Sequence, residues 1–279
     1  MDDRQVISGP PDQPAGRGGG ARGAGAFLRA RPSILKSASV VVALLVWEMT
    51  ARRVDPIFLA APSAIARAFA DLLRTGELPV QFARSMVPFL YGFGASIVGG
   101  MAIGLAMGKY WPVEYVLDPP INALYGTPRV ALIPLIMLWF GLELSAKVVI
   151  VMSLAIFPII INTYAGVQNV APAHLEVARA YGATERQIFF KVLLPAALPF
   201  IMAGVRLATG LAIIGVVVAE FFTQIQGLGG MIVNFGNVFA TAKMFVPIII
   251  LAALGIGLTE LVARIERWLA PWRQVEPLP

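Results

Sequence analysis

The chain has 279 residues, of which 58% are hydrophobic and 14% are charged, and its formal net charge is +6. Soluble domains usually carry about 25% charged residues, so this composition excludes an ordinary water-exposed globule and favours a bundle that faces lipid. No cysteine is present, which excludes disulfides, thiolate zinc sites and cysteine nucleophiles. The single histidine, His174, excludes a site built from several histidines within one chain.

The N-terminal segment 1–33 is rich in Gly, Pro and Arg and has almost no residues to bury. It is therefore predicted to be a disordered cytoplasmic tail, and residues 274–279 form a short C-terminal tail. A signal peptide is the alternative, because the first apolar run is short and follows arginines. The long basic leader and the lack of a small-residue cleavage site favour the tail.

Six apolar stretches follow, each close to the ~20 residues that cross a bilayer core. They cover approximately 34–51, 86–108, 118–141, 146–168, 198–222 and 244–264. The first is the weakest, because Lys36 and Glu48 interrupt it. We expect an all-α membrane protein of about six transmembrane helices, with a permease-sized domain over 34–273.

The connection 52–85 contains the sequence PSAIARAFADLLRTG, whose apolar positions recur at helical spacing before Gly76. This pattern predicts a short helix on the membrane surface. Lys and Arg are more numerous in the segments that face the cytoplasm if the N-terminus lies inside. We therefore expect both termini in the cytoplasm. The basic residues lie between apolar runs and are not interleaved with aromatic ones, which argues against nucleic-acid binding.

The loop 169–197, between the fourth and fifth stretches, has strong local signals. Pro172 suits a first helical turn and Gly182 suits a left-handed helix end. Thr184 with Gln187 three residues later is typical of a capping box, and Pro195 is predicted to end the second helix. We expect two short helices joined by a tight turn, forming a cytoplasmic docking surface.

This loop resembles the EAA signature of binding-protein-dependent importer permeases, which reads Glu-Ala-Ala, three residues, Gly, nine residues and Ile-x-Leu-Pro. Here the chain has Glu-Val-Ala at 176–178, Gly182, and Val-Leu-Leu-Pro at 192–195. The departures are Val177 and Val192. In the family this loop is the coupling helix that docks on the ATPase. The resemblance implies ATPase-coupling roles for Glu176, Ala178, Gly182, Leu194 and Pro195.

The resemblance extends over roughly 40–273. Segments 117–142 and 217–232 are similar to the nitrate, sulfonate, taurine and bicarbonate branch. One departure is Pro88, where relatives usually carry an arginine. The resemblance implies a type I ABC importer permease fold in the bacterial inner membrane, carrying a small anion or a vitamin precursor.

The implied partners are two copies of an ABC ATPase subunit, a periplasmic or lipid-anchored substrate-binding protein and a second permease copy. A homodimer is expected, although the residues do not decide between a homodimer and a heterodimer. ATP and Mg would be bound by the ATPase subunit and no cofactor by this chain. The chain has no phosphate-binding GxxxxGK[ST] loop, no HExxH and no GxSxG motif, so it is not expected to be an enzyme or to bind a metal.

Charged residues within the apolar stretches are few. Arg129 and Arg206 are placed about one turn inside a span, and Glu48, Glu220 and Glu260 lie near span ends, where snorkelling explains them. Candidate residues of the translocation pathway are Arg206 and Glu220. An interfacial anchor or a helix–helix ion pair is the alternative for Arg206.

Glycines at 100, 104 and 108 predict a flat face for close helix contact. The segment GLGG at 227–230 is either a short re-entrant piece or a loop. An ion-gradient-driven secondary transporter or channel remains the alternative function, although internal repeats and mid-membrane acidic residues are not evident. A membrane-embedded enzyme is the weaker alternative.

Overall fold

A computed structural model describes residues 32–271, with side chains described from residue 37 onward. All regular elements in this part of the chain are helical. The α-helices are α1 Pro32–Ala51, α2 Pro62–Arg74, α3 Glu77–Lys109, α4 Trp111–Gly126, α5 Ile133–Phe140, α6 Leu144–Gln168, α7 Pro172–Ala180, α8 Glu185–Ile188, α9 Leu194–Phe222, α10 Gly227–Asn237 and α11 Thr241–Leu269. A 3₁₀ turn, Arg129–Leu132, precedes α5, and a π turn, Phe189–Leu193, joins α8 to α9. Tail 274–279, and tail 1–33 apart from its last two residues, lie outside the described residues.

Four helices are long and apolar enough to cross a membrane by length and composition: α3, α6, α11 and the continuous unit Glu185–Phe222. A fifth crossing exists if α4 and Arg129–Phe140 form one span, although they are bent by 93°. The described apolar part of α1, Ser37–Ala51, is shorter. The all-α membrane fold is therefore confirmed, with four to five helices of spanning character and α1 as an additional apolar helix.

The predicted third stretch 118–141 is not one helix. Thr127 and Pro128 adopt extended conformations, with ψ of 138° and 90°, between α4 and the 3₁₀ turn. Proline fixes its own φ and moves the preceding residue away from the helical region, so Thr127-Pro128 ends α4. A hydropathy pattern shows only that the stretch is apolar, so it does not predict the bend.

Helix α6 lies at the centre of the bundle, packed along α3 on one side and α9 on the other. The α3 side is lined by glycines, as predicted. A Cβ at Gly104 would lie 2.7 Å from the Ile160 carbonyl oxygen, and one at Gly108 would lie 2.5 Å from the Val167 Cβ. These distances leave no room for a side chain, so the glycines set the close approach of the two helices.

Pro88 lies inside α3 and is buried, yet α3 is a single helix of 33 residues. Membrane helices tolerate proline where neighbouring groups satisfy the freed backbone. The departure from the family pattern at this position therefore does not interrupt the helix.

The connection between α1 and α3 is ordered by α2, whose existence was predicted. Ile65, Ala68 and Leu72 are its buried residues, and they form one apolar cluster with residues of α11. Glu48 of α1 does not simply reach for solvent: its carboxylate accepts hydrogen bonds of 3.0 and 2.8 Å from the backbone N–H and hydroxyl of Ser63. Glu48 thus satisfies an N–H group in the first turn of α2.

Candidate functional site: the coupling loop and the Glu220 cluster

The coupling loop, defined here as residues 169–197, begins with α7. Pro172 occupies the first turn of this helix, as predicted. At the other end the Gly182 N–H bonds the Arg179 carbonyl at 2.9 Å, and the Ala183 N–H bonds the Ala178 carbonyl at 3.0 Å. This pair of bonds is the Schellman motif, which places its glycine in the left-handed region. Gly182 has φ +74°, so the predicted helix end is confirmed.

The second helix of the loop begins with the predicted capping box. The Gln187 N–H donates to the Thr184 Oγ1 at 3.3 Å, and the Thr184 N–H donates to the Gln187 Oε1 at 2.8 Å. These bonds satisfy two N–H groups that a helix start otherwise leaves unpaired. The turn between α7 and α8 is therefore fixed from both sides by its own sequence.

Pro195 does not end the second helix, which corrects the prediction. The helix continues from Glu185 to Phe222 through the π turn. There the Leu194 N–H bonds the Phe189 carbonyl, five residues earlier. A π turn contains about one more residue than an α-helical turn. Pro195 follows it at the start of α9, where the missing N–H of proline breaks no α-helical hydrogen bond.

One face of the coupling loop packs on the bundle. Leu175 lies against the central apolar cluster, and Ile188 and Leu193 are buried. The opposite face exposes Glu176 together with Val177 and Tyr181. Tyr181 is 88% exposed, and sequence reasoning did not single it out. An aromatic ring without cover beside a glycine turn is the kind of group that interfaces use as an anchor.

The structure divides the five predicted coupling residues into two groups. Glu176 and Gly182 are exposed and Ala178 is half-buried, so they lie at or near the outer surface of α7 and its turn. Leu194 and Pro195 are half-buried at the base of α9. The first group is accessible at the surface of the chain, and the second lies where the loop joins α9.

A second polar site joins α3, α9 and α10, and is called here the Glu220 cluster. It consists of Ser85, Glu220, Leu228 and Gly229. The Ser85 Oγ donates to Glu220 Oε1 at 2.6 Å and accepts the Leu228 N–H at 2.8 Å. The Gly229 N–H donates to Glu220 Oε2 at 2.7 Å. Glu220 is 1% exposed, so the expectation that it snorkels to the surface is wrong.

The segment GLGG at 227–230 is the start of α10, and the missing side chains of Gly227 and Gly229 make room for the Glu220 carboxylate. Gly227 has φ +86°, and a Cβ there would overlap the Glu220 carboxylate. A Cβ at Gly229 would lie 2.9 Å from Glu220 Oε2. Glycine therefore allows the Gly229 amide to reach the carboxylate directly and the Leu228 amide to reach the Ser85 hydroxyl bonded to it, which suits the positive end of the helix dipole.

Arg206 of α9 forms an ion pair with Glu266 of α11. The Glu266 side chain is 10% exposed and that of Arg206 is 44% exposed. The pair links the N-terminal half of α9 to the last turn of α11, which is the helix–helix ion pair expected as the alternative for Arg206. Arg206 still keeps a part of its side chain at the surface of the single chain.

Arg129 is not about one turn inside a boundary, contrary to expectation. It lies in the 3₁₀ turn after the break at Pro128, and its Nη1 donates to the Leu154 carbonyl at 3.3 Å. Leu154 lies near the middle of the 25-residue helix α6. The bend therefore places the Arg129 guanidinium beside the middle of α6.

Comparison with known proteins shows the family. The model of the binding-protein-dependent transport system inner membrane component matches residues 96–274. The chain is 37% identical over 224 residues to the putative aliphatic sulfonates transport permease protein SsuC of Bacillus subtilis, covering 79% of this chain and 80% of that protein. It is 33% identical over 235 residues to the formylaminopyrimidine transport permease protein ThiX of Halalkalibacterium halodurans, with 83% and 92% covered.

A third relative is the taurine transport system permease protein TauC of Escherichia coli, which is 29% identical over 250 residues, with 87% and 90% covered. Among solved structures, the MetNI methionine ABC transporter in inward-facing conformations superposes with a TM-score of 0.54 at 23% identity, covering 68% of this chain and 96% of that one. An amino acid ABC transporter solved with histidines gives a TM-score of 0.53 at 20% identity, with 74% and 98% covered. These structures support the fold.

The relatives are transport permease subunits and not enzymes, which agrees with the motifs that the sequence lacks. The family implies an ATPase and a substrate-binding protein as partners, and a multi-pass location in the inner membrane. The chain belongs to the binding-protein-dependent transport system inner membrane component family, and it is a permease subunit of an ATP-driven ABC importer.

Proposed function

We propose that this permease receives the ATPase on α7 and its glycine turn. The observation that carries the proposal is the two-sided coupling loop, whose inner face is anchored by Leu175 and Ile188 while Glu176 and Tyr181 project outward. A rigid, exposed loop transmits the movement of a docked protein to the helix bundle, because the loop does not first have to fold. Ala178 permits close approach, and Leu194 with Pro195 fixes the loop to the base of α9.

ATP and Mg are bound by the ATPase in this proposal, and none is bound by the permease. Two ATPase copies meet two permease copies, with a homodimer of this chain enclosing the pathway. Both termini and the coupling loop face the cytoplasm. A periplasmic or lipid-anchored substrate-binding protein delivers the solute at the opposite end, and segments 34–273 form the permease domain between two tails.

The cargo is a small solute of the kind named for the relatives. Sulfonates, taurine and a formylaminopyrimidine are the cargoes in the names of SsuC, TauC and ThiX. An organic anion of the sulfonate type or a vitamin precursor is therefore proposed. In the pathway, Arg206 contributes positive charge on the cytoplasmic side, and Glu220 holds the outer end in shape through α10.

The test is a pull-down of the tagged chain from its native membrane in mild detergent, with partners identified by mass spectrometry. The wild type is expected to recover an ABC ATPase, and a Glu176→Lys, Gly182→Asp double variant is expected to lose it. Asp71→Lys is the control, because Asp71 is an exposed carboxylate on α2, outside the coupling loop. Recovery of the ATPase by the double variant, or its absence from folded wild type, would refute the docking role of α7.

A further inference from the structure

We infer that Arg129 binds the anionic group of the transported solute at the middle of the pathway. The inference deepens the proposed function and rests on it, because it requires a solute pathway along this face of the permease. It concerns a residue to which neither the sequence nor the family comparison gives a role.

First, the Arg129 guanidinium lies far from both ends of α6. Leu154, which accepts the Arg129 hydrogen bond, follows the start of α6 by ten residues and precedes its end by fourteen. At ~1.5 Å per residue, the guanidinium lies about 15 Å from one end of α6 and about 21 Å from the other. The Arg129 side chain therefore cannot reach interfacial water or lipid headgroups by a small movement. A charge at this depth is costly unless it faces water or an opposite charge.

The second step is the missing counter-charge. Among residues 32–271, no carboxylate oxygen lies within 4.0 Å of the Arg129 guanidinium, whereas Arg52, Arg179, Arg206, Arg264 and Arg267 each have one. The bond to Leu154 is the one hydrogen bond of its side chain within this part of the chain. A guanidinium has five N–H donors in a planar fork, so most of its donors are available to a ligand.

The third step is preorganisation. The guanidinium carbon of Arg129 lies 5.3 Å from the ring centre of Tyr125 and 5.4 Å from that of Phe157. These contacts hold the guanidinium over two rings, which orients it without neutralising its charge. Arginine held in this way presents an edge of N–H groups that donate in pairs to carboxylate, sulfonate or phosphate oxygens.

The fourth step is the broken backbone. The chain bends by 93° between α4 and Arg129–Phe140. At membrane depth, irregular backbone is tolerated only where protein covers it or where it lines a water-filled cavity. Here Gly126 and Pro128 are exposed on the single chain, and Val130 is 46% exposed. This side of the break is therefore not covered by the chain itself, and in the proposed dimer it faces the space between the two permease copies.

The ligand is accordingly an oxyanion on the solute. A carboxylate from the second permease copy is the competing source of negative charge, and the experiment below separates the two. A lipid phosphate is disfavoured by the depth of Arg129.

The experiment uses the fact that the chain contains no cysteine. Val130→Cys introduces one thiol per permease chain, beside Arg129, and the complex is purified from its native membrane. The thiol is treated with two methanethiosulfonates, one carrying a sulfonate and one carrying a trimethylammonium group. We expect the anionic reagent to react faster relative to the cationic one, and Arg129→Met in the same background to lower that ratio by about tenfold. Arg129→Lys keeps the charge and is expected to keep the preference.

The cysteine-free parent chain gives the background reaction with each reagent. Gel filtration shows whether each variant is folded and assembled. If neither reagent reacts, or if the ratio is the same with Met as with Arg at position 129, the inference is wrong. A third outcome is that Arg129→Met loses the dimer while the Val130→Cys parent shows no preference for the anionic reagent. This outcome assigns the negative charge to the second permease copy and also overturns the inference. The same preparation reports on the ATPase: its presence without anion preference refutes the inference alone, and its absence refutes the proposed function.

Discussion

The Ser85 hydroxyl of α3 donates a 2.6 Å hydrogen bond to the Glu220 carboxylate of α9, 135 residues away in the sequence. The same hydroxyl accepts a hydrogen bond from the Leu228 N–H in the first turn of α10. One small side chain therefore connects three helices at a buried point where water does not replace a lost partner.

Replacing Ser85 by alanine should destabilise the fold. The change removes one donor from the buried Glu220 carboxylate and leaves the Leu228 N–H unpaired, at a cost of about 1–3 kcal/mol. Thermal unfolding in detergent, followed by gel filtration, measures the effect. Ser145→Ala is the control, because Ser145 is exposed and bonds only the Phe140 carbonyl. Equal midpoints for the two variants would contradict the buried role of Ser85.

Gly104→Val should separate α3 from α6. Its side chain meets the Ile160 carbonyl oxygen and Thr163, and overpacking of this kind costs about 1–3 kcal/mol or more. Gly94→Val is the matched change on the same helix, since a Cβ at Gly94 has no neighbour within 4 Å. The expected result is poor yield of folded protein for the first variant and near-normal yield for the second. Similar yields would show that α3 and α6 can move apart freely.

Gly182→Ala should weaken ATPase docking more than it weakens the fold. Alanine in the left-handed region costs roughly 1–2 kcal/mol, which favours a rearranged turn between α7 and α8. We expect lower ATP hydrolysis by the assembled complex with an almost unchanged unfolding midpoint for the permease. Gly94→Ala serves again as control, because its backbone is helical and its surroundings are open. Unchanged coupled hydrolysis in Gly182→Ala would argue that the turn geometry is not needed for docking.

The Arg206–Glu266 ion pair should show a favourable coupling energy of about 1 kcal/mol in a double-mutant cycle with alanine. One of its partners is nearly buried, so removal of Arg206 leaves a poorly solvated carboxylate. The Arg179–Glu185 pair provides the comparison, since its atoms are 3.9 Å apart and both side chains are more than half exposed. Exposed pairs contribute little, and a coupling near zero is expected there. Equal coupling in the two cycles would contradict the contribution assigned to burial.

The coupling loop was predictable because its signals act over a few residues. Pro172 begins α7 without an N–H that needs a partner, while Gly182 and the Thr184–Gln187 box satisfy backbone groups in their own turns, so composition and spacing are enough to predict them. The Gly ladder of α3 was predictable for the same reason, since spacing of four residues places side chains on one helix face.

The remaining features depend on partners that are distant in the sequence. Glu220 was expected at a surface because it is close to the end of an apolar stretch, and only the folded chain brings Ser85 and Gly229 to it. The bend at Pro128 and the π turn before Pro195 left the hydropathy pattern unchanged, so both stretches were predicted with the wrong continuity. Arg129 was misplaced in depth as a direct result.

The unit Glu185–Phe222 has 38 residues without a break in its helix, which corresponds to ~57 Å of rod. It begins at the turn beside Gly182 and ends two residues after Glu220. The proposed docking surface for the ATPase and the Glu220 carboxylate thus lie at opposite ends of one continuous helix. A displacement at the Glu185 end reaches the Phe222 end through one piece of hydrogen-bonded backbone, with no hinge loop between them to absorb it.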